Sequence, residues 1–456
     1  MTDRPHFLYF SHESAPAERR YVLHWLFREV FGMQLTVLAG RPGAQTLKID
    51  GIDGEFRLPD VLFPRLDSHW LSPATLPPAT LSVDDGLPIL FGVNVGRNKE
   101  ERFDTPVDVF GSLFFLMSRY EEAVTHCSDD HNRFPSAGSV LAHSGLLTRA
   151  IGNEYIEHLW ERLKGRWPEI AETRQHREFR VLPSHDIDVP AAMWSGAGDL
   201  ARSVIHSLVR CRPSNAARSV RTRLSYFQLC RRHDWQQDPN DTIDWIVATS
   251  ARNGLQSTFF YIPERTSRFD HGMPLEHPHV VDQWKRIHRA GHLIGCHPGY
   301  ATPDSPKRIS NAARVIRERL SQSGIQQTTM GTRQHYLRWT TPNTANACDE
   351  AGFHYDSTLG YADRAGFRCG LCYEYPMYDL IDRKQLKLRQ RPLVVMDCTI
   401  VDDRYMGLGT GERAYVRIKE LKDTCRRFNG DFSVLWHNQR FSDDAEKRLY
   451  QDVLQA

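Results

Sequence analysis

The chain has 456 residues, of which 40% are hydrophobic and 25% charged, and its formal net charge at pH 7 is +2. This length favours two domains over one core, the composition excludes a disordered chain, and the near-neutral charge gives no sign of a nucleic-acid partner. The N-terminal stretch lacks the apolar core of a signal peptide, and no apolar run is long enough to span a membrane. Nine cysteines, an odd number, suit a reducing compartment. We therefore expect a cytoplasmic protein without a transmembrane segment.

The N-terminal part alternates short apolar runs with polar breaks and contains two helical patterns. Apolar residues recur at helical spacing over residues 107–124 and again over residues 154–167. A polar stretch follows, so we place a domain boundary at about residue 175. Residues 1–175 are predicted to form a smaller α+β accessory domain. Because it has no cluster of metal ligands and no nucleophile motif, we expect it to pack or to frame the substrate.

Residues 176–456 alternate strand-like and helical segments. The strand-like segments end in polar or ionisable residues and read VLPSHDID, STFFYIPE, HLIGCHPGY, GTRQHY, LVVMDCT and SVLWHN. Alternating strands and helices predict a parallel sheet, and chemistry gathered at the carboxyl ends of the strands is typical of a (β/α) barrel. The predicted fold class is α/β, with a distorted (β/α) barrel following the accessory domain.

One segment interrupts this alternation with arginine. Between Leu200 and His233 there is no Asp, Glu or Lys, and the arginines are Arg202, Arg210, Arg212, Arg218, Arg221, Arg223, Arg231 and Arg232. A solvated helical excursion explains such a segment. A basic surface for a phosphate-bearing substrate, an acidic glycan or a lipid headgroup explains it as well.

The segment RVLPSHDIDV, Arg180–Val189, places two carboxylates at the end of a predicted buried strand. Side chains at i and i+2 of a strand point to the same face, so Asp186 and Asp188 are expected to lie side by side. Two close carboxylates disfavour each other's ionised form. A metal ion, a cationic partner or a shared proton must compensate their charge, since burial of both without one is expensive.

Ordered motifs between about residues 178 and 440 give this region a family resemblance. The motifs are SHDID, STFFYI, AGHLIGCH, RQHY and LWH. Together they resemble the polysaccharide deacetylase superfamily, the catalytic fold of carbohydrate esterase family 4, and in particular a divergent branch associated with surface-polysaccharide biosynthesis. The resemblance implies a metal-dependent hydrolase that removes an N-acetyl or other N-acyl group from an amino sugar.

In that family one Asp of the pair acts as the general base and the other binds a divalent cation. Carried over, Asp186 is the base and Asp188 a metal ligand, although the extra residue between them leaves the two roles exchangeable. His297, the last residue of AGHLIGCH, matches a metal-binding histidine. His292 and His185 have the opposite strand parity and are expected to face away from the site.

The chain departs from the family at its second metal-binding histidine, where it has Ala301. A catalytic zinc, the cation that the resemblance implies, takes about three protein ligands and a water. We expect His335 to be the third ligand, with Tyr300 and Asp304 as weaker alternatives. A metal-free site, in which Arg333 alone compensates the carboxylates, remains open.

The family also implies the residues that orient the base and protonate the leaving group. Arg333 matches the arginine that orients the base, and His437 in SVLWHN matches the general acid. The carboxylate that orients His437 is assigned to Asp363, with Asp397 as its competitor. The residues assigned to substrate binding are Tyr300, Tyr336 and Trp436. Core packing is the more common use of a tryptophan.

Two other functions stay open at this stage. The missing histidine leaves open a metal-independent amide hydrolase on the same barrel, and a groove without a metal would suit a catalytically silent glycan-binding protein. Retention of both an acid and a base argues against the silent protein, because binding needs neither. The expected partner is a glycan or amino-sugar substrate, which could be anionic or lipid-linked.

Overall fold

The computed structural model describes residues 5–93, 103–194, 205 and 213–455, without the side chains of residues 213–216 and 218. Part of the arginine-rich segment lies outside the described residues, namely Arg202, Arg210, Arg212 and the side chain of Arg218. Within the described ranges, no helix has the length and apolar character needed to cross a membrane.

The strands are β1 (His6–Ser11), β2 (Gln34–Ala39), β3 (Ala44–Ile49), β4 (Ile52–Pro59), β5 (Ser82–Asp84), β6 (Leu87–Ile89), β7 (Arg180–Ile187), β8 (Thr258–Tyr261), β9 (Leu293–Cys296), β10 (Gly331–Thr332), β11 (Tyr355–Asp356), β12 (Tyr375–Asp379), β13 (Lys384–Gln390), β14 (Val395–Met396) and β15 (Asp431–Leu435). The α-helices are α1 (Pro16–His24), α2 (Leu62–His69), α3 (Val109–Met117), α4 (Tyr120–Val124), α5 (Val140–His143), α6 (Ile151–Arg166), α7 (Pro213–Arg232), α8 (Ile243–Arg252), α9 (Pro278–Arg289), α10 (Pro306–Gln322), α11 (Asn343–Glu350), α12 (Asp397–Val401), α13 (Glu412–Arg427) and α14 (Asp444–Gln455). A π-helical segment, Trp25–Phe31, follows α1.

A nine-stranded sheet carries the second part of the chain, with the order β12-β13-β11-β10-β9-β8-β7-β15-β14. Every neighbouring pair is parallel except β12 with β13, which confirms the predicted α/β fold with a parallel sheet. The contact between Thr258 Oγ1 on β8 and Tyr355 OH on β11 shows that the sheet is curled, since the two atoms lie 3.1 Å apart although two strands lie between them in the sheet. Within the described residues β12 and β14 are its edges, so the barrel is open on one side.

The helix predicted over residues 107–124 is interrupted. It is two helices, α3 and α4, because Arg119 has a left-handed backbone with φ of 53°. The buried Arg119 guanidinium donates to Glu122 Oε1 at 3.0 Å and to the Leu116 carbonyl at 3.1 Å. Those two bonds hold the break, which the apolar periodicity alone did not predict.

The N-terminal part forms a four-stranded sheet in the order β2-β1-β3-β4, and its core is continuous with that of the barrel. Ion pairs also join the two parts: the buried Glu122 pairs with the buried Arg368 at 2.8 Å, and the buried Glu18 with the partly exposed Arg383 at 2.8 Å. The boundary near residue 175 stays a prediction.

Candidate active site

Asp186 and Asp188 lie on the same side of the carboxyl end of β7. His297, which follows β9, points its Nε2 at both carboxylates, 3.5 Å from Asp186 Oδ2 and 3.2 Å from Asp188 Oδ1. The alternation of side chains along a strand explains this convergence. By the same parity His185 points away, into a buried contact between its Nδ1 and the Trp436 carbonyl at 2.9 Å.

The tautomer of His297 is set by its backbone contact. Its Nδ1 lies 2.5 Å from the Arg333 carbonyl oxygen, which can only accept, so Nδ1 carries the proton. The lone pair of Nε2 is then directed at two carboxylates. Both His297 Nε2 and Asp188 Oδ1 are buried and have no hydrogen-bond partner. A contact of 3.2 Å between two hydrogen-bond acceptors, His297 Nε2 and Asp188 Oδ1, is unfavourable unless a cation lies between them.

His335 completes the group from the other side. Its Nδ1 lies 2.7 Å from Asp270 Oδ1, and its Nε2 lies 3.5 Å from Asp188 Oδ2. Burial lowers the pKa of His335, but the charges of Asp188 and Asp270 outweigh it and raise that pKa to about 9. Burial likewise opposes ionisation of Asp188, yet the charge of His335 and the contact with His297 hold its pKa well below the usual range.

The donor set of these three residues fits a divalent metal ion. One ligand atom each from Asp188, His297 and His335 lies within 4.8 Å of the others. Two imidazoles and a carboxylate suit a transition metal such as zinc, with room for a further ligand. The two unpartnered buried atoms in the group support the same interpretation.

Arg333 fixes the orientation of Asp186. Its Nη1 donates to Asp186 Oδ1 at 3.0 Å, and its other nitrogens are held by Ser184 Oγ and by the hydroxyl and carbonyl of Ser357. The guanidinium lies 4.6 Å from the ring centroid of Phe260. Gly295 makes room for that ring, since a Cβ there would come within 2.4 Å of it.

His437 faces the same cavity at the end of β15. Its Nδ1 lies 2.8 Å from Asp397 Oδ1, and its Nε2 lies 3.6 Å from Asp188 Oδ2. Burial lowers the pKa of His437, but the charge of Asp397 outweighs it and holds that pKa well above the usual range. The assignment of Asp363 as the orienting carboxylate is therefore corrected. Asp363 instead accepts a hydrogen bond from the Ser136 hydroxyl at 2.5 Å.

A cavity of about 180 Å³ joins these groups. Its lining side chains include Asp186, Asp188, His297, His335, His437, Tyr336, Cys398, Arg133, Arg404 and Tyr405. Arg133 belongs to the N-terminal part of the chain, so that part frames the cavity.

Arg133 also supports a strained loop. Tyr336 and Leu337 both have left-handed backbones, with φ of 63° and 54°. Such strain is costly for residues with side chains and persists only where the surroundings hold it. Arg133 Nη1 donates to the Tyr336 carbonyl at 3.1 Å, while its Nε is held by Asp129 at 2.7 Å.

Two residues assigned to substrate binding lie elsewhere. Trp436 is fully buried and donates from Nε1 to Glu446 at 2.9 Å, so it cannot stack on a sugar. Its position explains this, because Trp436 directly precedes His437 in the extended chain that follows β15, and neighbouring side chains of an extended chain face opposite sides. Tyr300 is absent from the residues that line the cavity, and its hydroxyl lies 3.0 Å from His131 Nδ1. Only Tyr336 of the three lines the cavity.

Sequence reasoning missed Asp270, the partner of His335. It lies between β8 and α9, outside every motif, where it also accepts from the Tyr300 amide at 2.8 Å. Gly299 permits this approach, since a Cβ there would come within 2.9 Å of Asp270 Oδ2. The glycine in the sequence HPGY, residues 297–300, was a signal that another group approaches the backbone closely at this point.

Comparison with known proteins leaves the function open. A family of unknown function, DUF7033, matches residues 7–168, and no curated protein matches the chain. A Mycobacterium smegmatis protein provisionally named a polysaccharide deacetylase is 14% identical, with a TM-score of 0.39 over 61% of this chain and 84% of that one. Puue allantoinase is 17% identical, with a TM-score of 0.32 over 46% of this chain and 65% of that one. Similarity at this level carries no argument, so function must be argued from the side chains.

Proposed function

We propose that this protein is a metal-dependent hydrolase that removes an N-acetyl or other N-acyl group from an amino sugar of a surface polysaccharide or its precursor. One observation carries the proposal. An oriented carboxylate, Asp186, and an oriented histidine, His437, face one cavity beside a group of three metal-binding side chains. The motifs that resemble the polysaccharide deacetylase superfamily support the choice of substrate class.

In this proposal Asp188, His297 and His335 hold the metal. His335 replaces the family histidine that is absent at Ala301 and receives its orientation from Asp270. A divalent cation held there supplies Lewis-acid polarisation of the acyl carbonyl and of a water molecule.

Asp186 acts as the general base. Arg333 donates to Oδ1 and fixes the direction of the carboxylate, while Oδ2 is left to receive the proton of the attacking water. His297 Nε2 lies 3.5 Å from that oxygen, which places the base beside the metal ligands.

His437 acts as the general acid. Asp397 holds the Nδ1 proton, so Nε2 is the nitrogen that donates to the departing amine. The charge of Asp397 raises the pKa of His437, which favours the protonated form that a general acid needs at the start of the reaction.

The rim of the cavity suits a polar glycan. Tyr336 and Tyr405 bring aromatic faces, and the guanidinium groups of Arg404 and Arg133, which pair with Asp402 and Asp129, bring hydrogen-bond donors. A volume of about 180 Å³ accommodates an acyl group with part of a sugar ring and leaves the rest of a larger glycan outside.

Release of acetate from acetamido sugars and N-acetylated oligosaccharides tests the proposal. We expect turnover by the metal-loaded wild type, and a loss of about 10²- to 10⁴-fold in Asp186→Asn and in His437→Ala. Asp304→Asn is the matched control, because Asp304 is exposed on a nearby loop. Full activity in either active-site variant would contradict these roles. Absence of release from every acetamido sugar, with metal bound, would contradict the substrate class.

A further inference from the structure

The outer face of α7 carries an apolar stripe. Val220, Leu224 and Phe227 are 42%, 58% and 58% exposed. Their spacing of four and three residues places them along one side of the helix. Single exposed apolar side chains are common on protein surfaces, whereas a contiguous stripe indicates a contact with another apolar phase.

The same helix is strongly basic. Its sequence contains five arginines and no Asp or Glu. Arg221, Arg231 and Arg232 are exposed, and among the described residues none of these three forms an ion pair. Arg231 lies 6.0 Å from the ring centroid of Phe227, so positive charge borders the apolar stripe directly.

The opposite face of α7 is anchored to the fold. Tyr226 is 2% exposed, and its hydroxyl lies 3.1 Å from His279 Nδ1. The His279 ring stacks on Trp235 with a centroid distance of 5.0 Å. Because Tyr226 holds the helix from one side, the apolar stripe is turned outwards by the fold.

We propose that this face of α7 docks the protein on an anionic membrane surface. An amphipathic helix with arginines beside an apolar stripe binds such a surface through buried apolar area and attraction to the headgroups. An acidic glycan would account for the arginines and leave the exposed Leu224 and Phe227 unexplained. The combination of charge and apolar side chains therefore selects a lipid surface.

The segment that carries α7 begins and ends at the cavity edge of the sheet. It follows β7, and Val189 at its start lines the cavity. Its far end returns to the same point, where Asn240 Nδ2 donates to the Val189 carbonyl at 3.2 Å. The docking itself does not depend on the proposed hydrolase activity.

Co-sedimentation with phosphatidylcholine vesicles, with and without phosphatidylglycerol, tests the proposal without any substrate. We expect binding to the anionic vesicles that weakens as salt is raised. Leu224→Glu/Phe227→Glu should lower the partition coefficient at least about tenfold. The single variant Val220→Glu should also weaken binding to the anionic vesicles. Its matched control is Val416→Glu, since the two valines are 42% and 43% exposed, and this control should bind like the wild type.

A charge variant supplies a second, independent arm. Arg231→Gln/Arg232→Gln should lower binding to anionic vesicles by about 30-fold at low salt, whereas Arg314→Gln/Arg319→Gln on α10 should not. Absence of binding by the wild type, or binding unchanged by both α7 variants, would overturn the proposal. A wild-type dimer that the Leu224→Glu/Phe227→Glu variant converts to a monomer, without vesicle binding, would identify a second copy as the occupant and also overturn it. An active hydrolase could fail this test, and an inactive one could pass it.

Discussion

Two buried histidines in this protein each lie 2.7 Å from the carboxylate of a different aspartate, yet only one of the two belongs to the candidate site. His279 Nε2 lies 2.7 Å from Asp241, and His335 Nδ1 lies 2.7 Å from Asp270. The second nitrogen of His279 meets the Tyr226 hydroxyl, whereas that of His335 faces Asp188 and the cavity.

The carboxylates that these histidines face differ in what surrounds them. Asp241 also pairs with Arg286 at 2.5 Å. Asp241 and Asp188 each keep a buried oxygen without a hydrogen-bond partner, but that of Asp188 lies 3.2 Å from a histidine nitrogen in the same condition, His297 Nε2, and both residues line the cavity. The comparison teaches that a buried histidine–carboxylate pair is not by itself a site. Unsatisfied ligand atoms that converge on a cavity distinguish the functional group from the structural one.

The largest expected effect concerns the structural pair. Asp241→Asn should lower the free energy of unfolding by about 1.5–3 kcal/mol, because it weakens the charge-assisted hydrogen bonds that the carboxylate makes with Arg286 and His279, while Arg286 keeps Asp244 and Asp282 as partners. Chemical denaturation measures the loss, and metal content measured on the folded fraction should equal that of the wild type. A variant as stable as the wild type would show that this pair does not hold the fold.

The partner of His335 should affect metal affinity more than stability. Asp270→Asn keeps an acceptor oxygen for His335 but removes the negative charge, so we expect metal affinity to fall about 10- to 100-fold. Competition with a chromogenic chelator measures the affinity. Asp363→Asn serves as the control, and equal affinity in the wild type and Asp270→Asn would separate Asp270 from the metal group.

The pH profile sharpens the role of Asp397. Its charge raises the pKa of His437, so the acid stays protonated and active as the pH rises through neutrality. Asp397→Asn removes that charge and lowers the pKa of His437. The alkaline limb of kcat/KM should therefore move to lower pH. An unmoved alkaline limb would mean that another group supplies the proton.

The smallest effect should come from the residue that the sequence assigned in place of Asp397. Asp363→Asn weakens one hydrogen bond with Ser136, and we expect a loss of about 0.5–1.5 kcal/mol of stability. Its pH profile should match that of the wild type. A shifted alkaline limb in this variant would restore Asp363 as the partner of His437.

Strand parity and ordered motifs predicted much of the fold and several members of the site. The alternation of strands and helices predicted the parallel sheet, and the spacing of Asp186 and Asp188 predicted that both face the same side. Parity also predicted that His185 and His292 face away from the site. The same argument applied to Trp436 would have removed it from the residues assigned to substrate binding.

The remaining errors concern contacts made through space. Asp270, in a connection, and Asp397, at the start of α12, lie 65 and 40 residues along the chain from their histidines, and no local pattern encodes that approach. Arg119 breaks a helix whose apolar periodicity is uninterrupted, because buried hydrogen bonds from its guanidinium offset the cost of its left-handed backbone. Such contacts depend on the assembled fold.

The central claim is that Asp188, His297 and His335 bind a divalent metal, and metal content per chain tests it most directly. Wild type, His335→Ala and Asp304→Ala should be purified without chelator and analysed by mass spectrometry. We expect about one ion, zinc or a similar cation, per chain of the wild type and of Asp304→Ala, and loss of the ion in His335→Ala. A wild type that holds no metal and takes up none on reconstitution would contradict metal binding by these residues and leave Arg333 alone to balance the carboxylates.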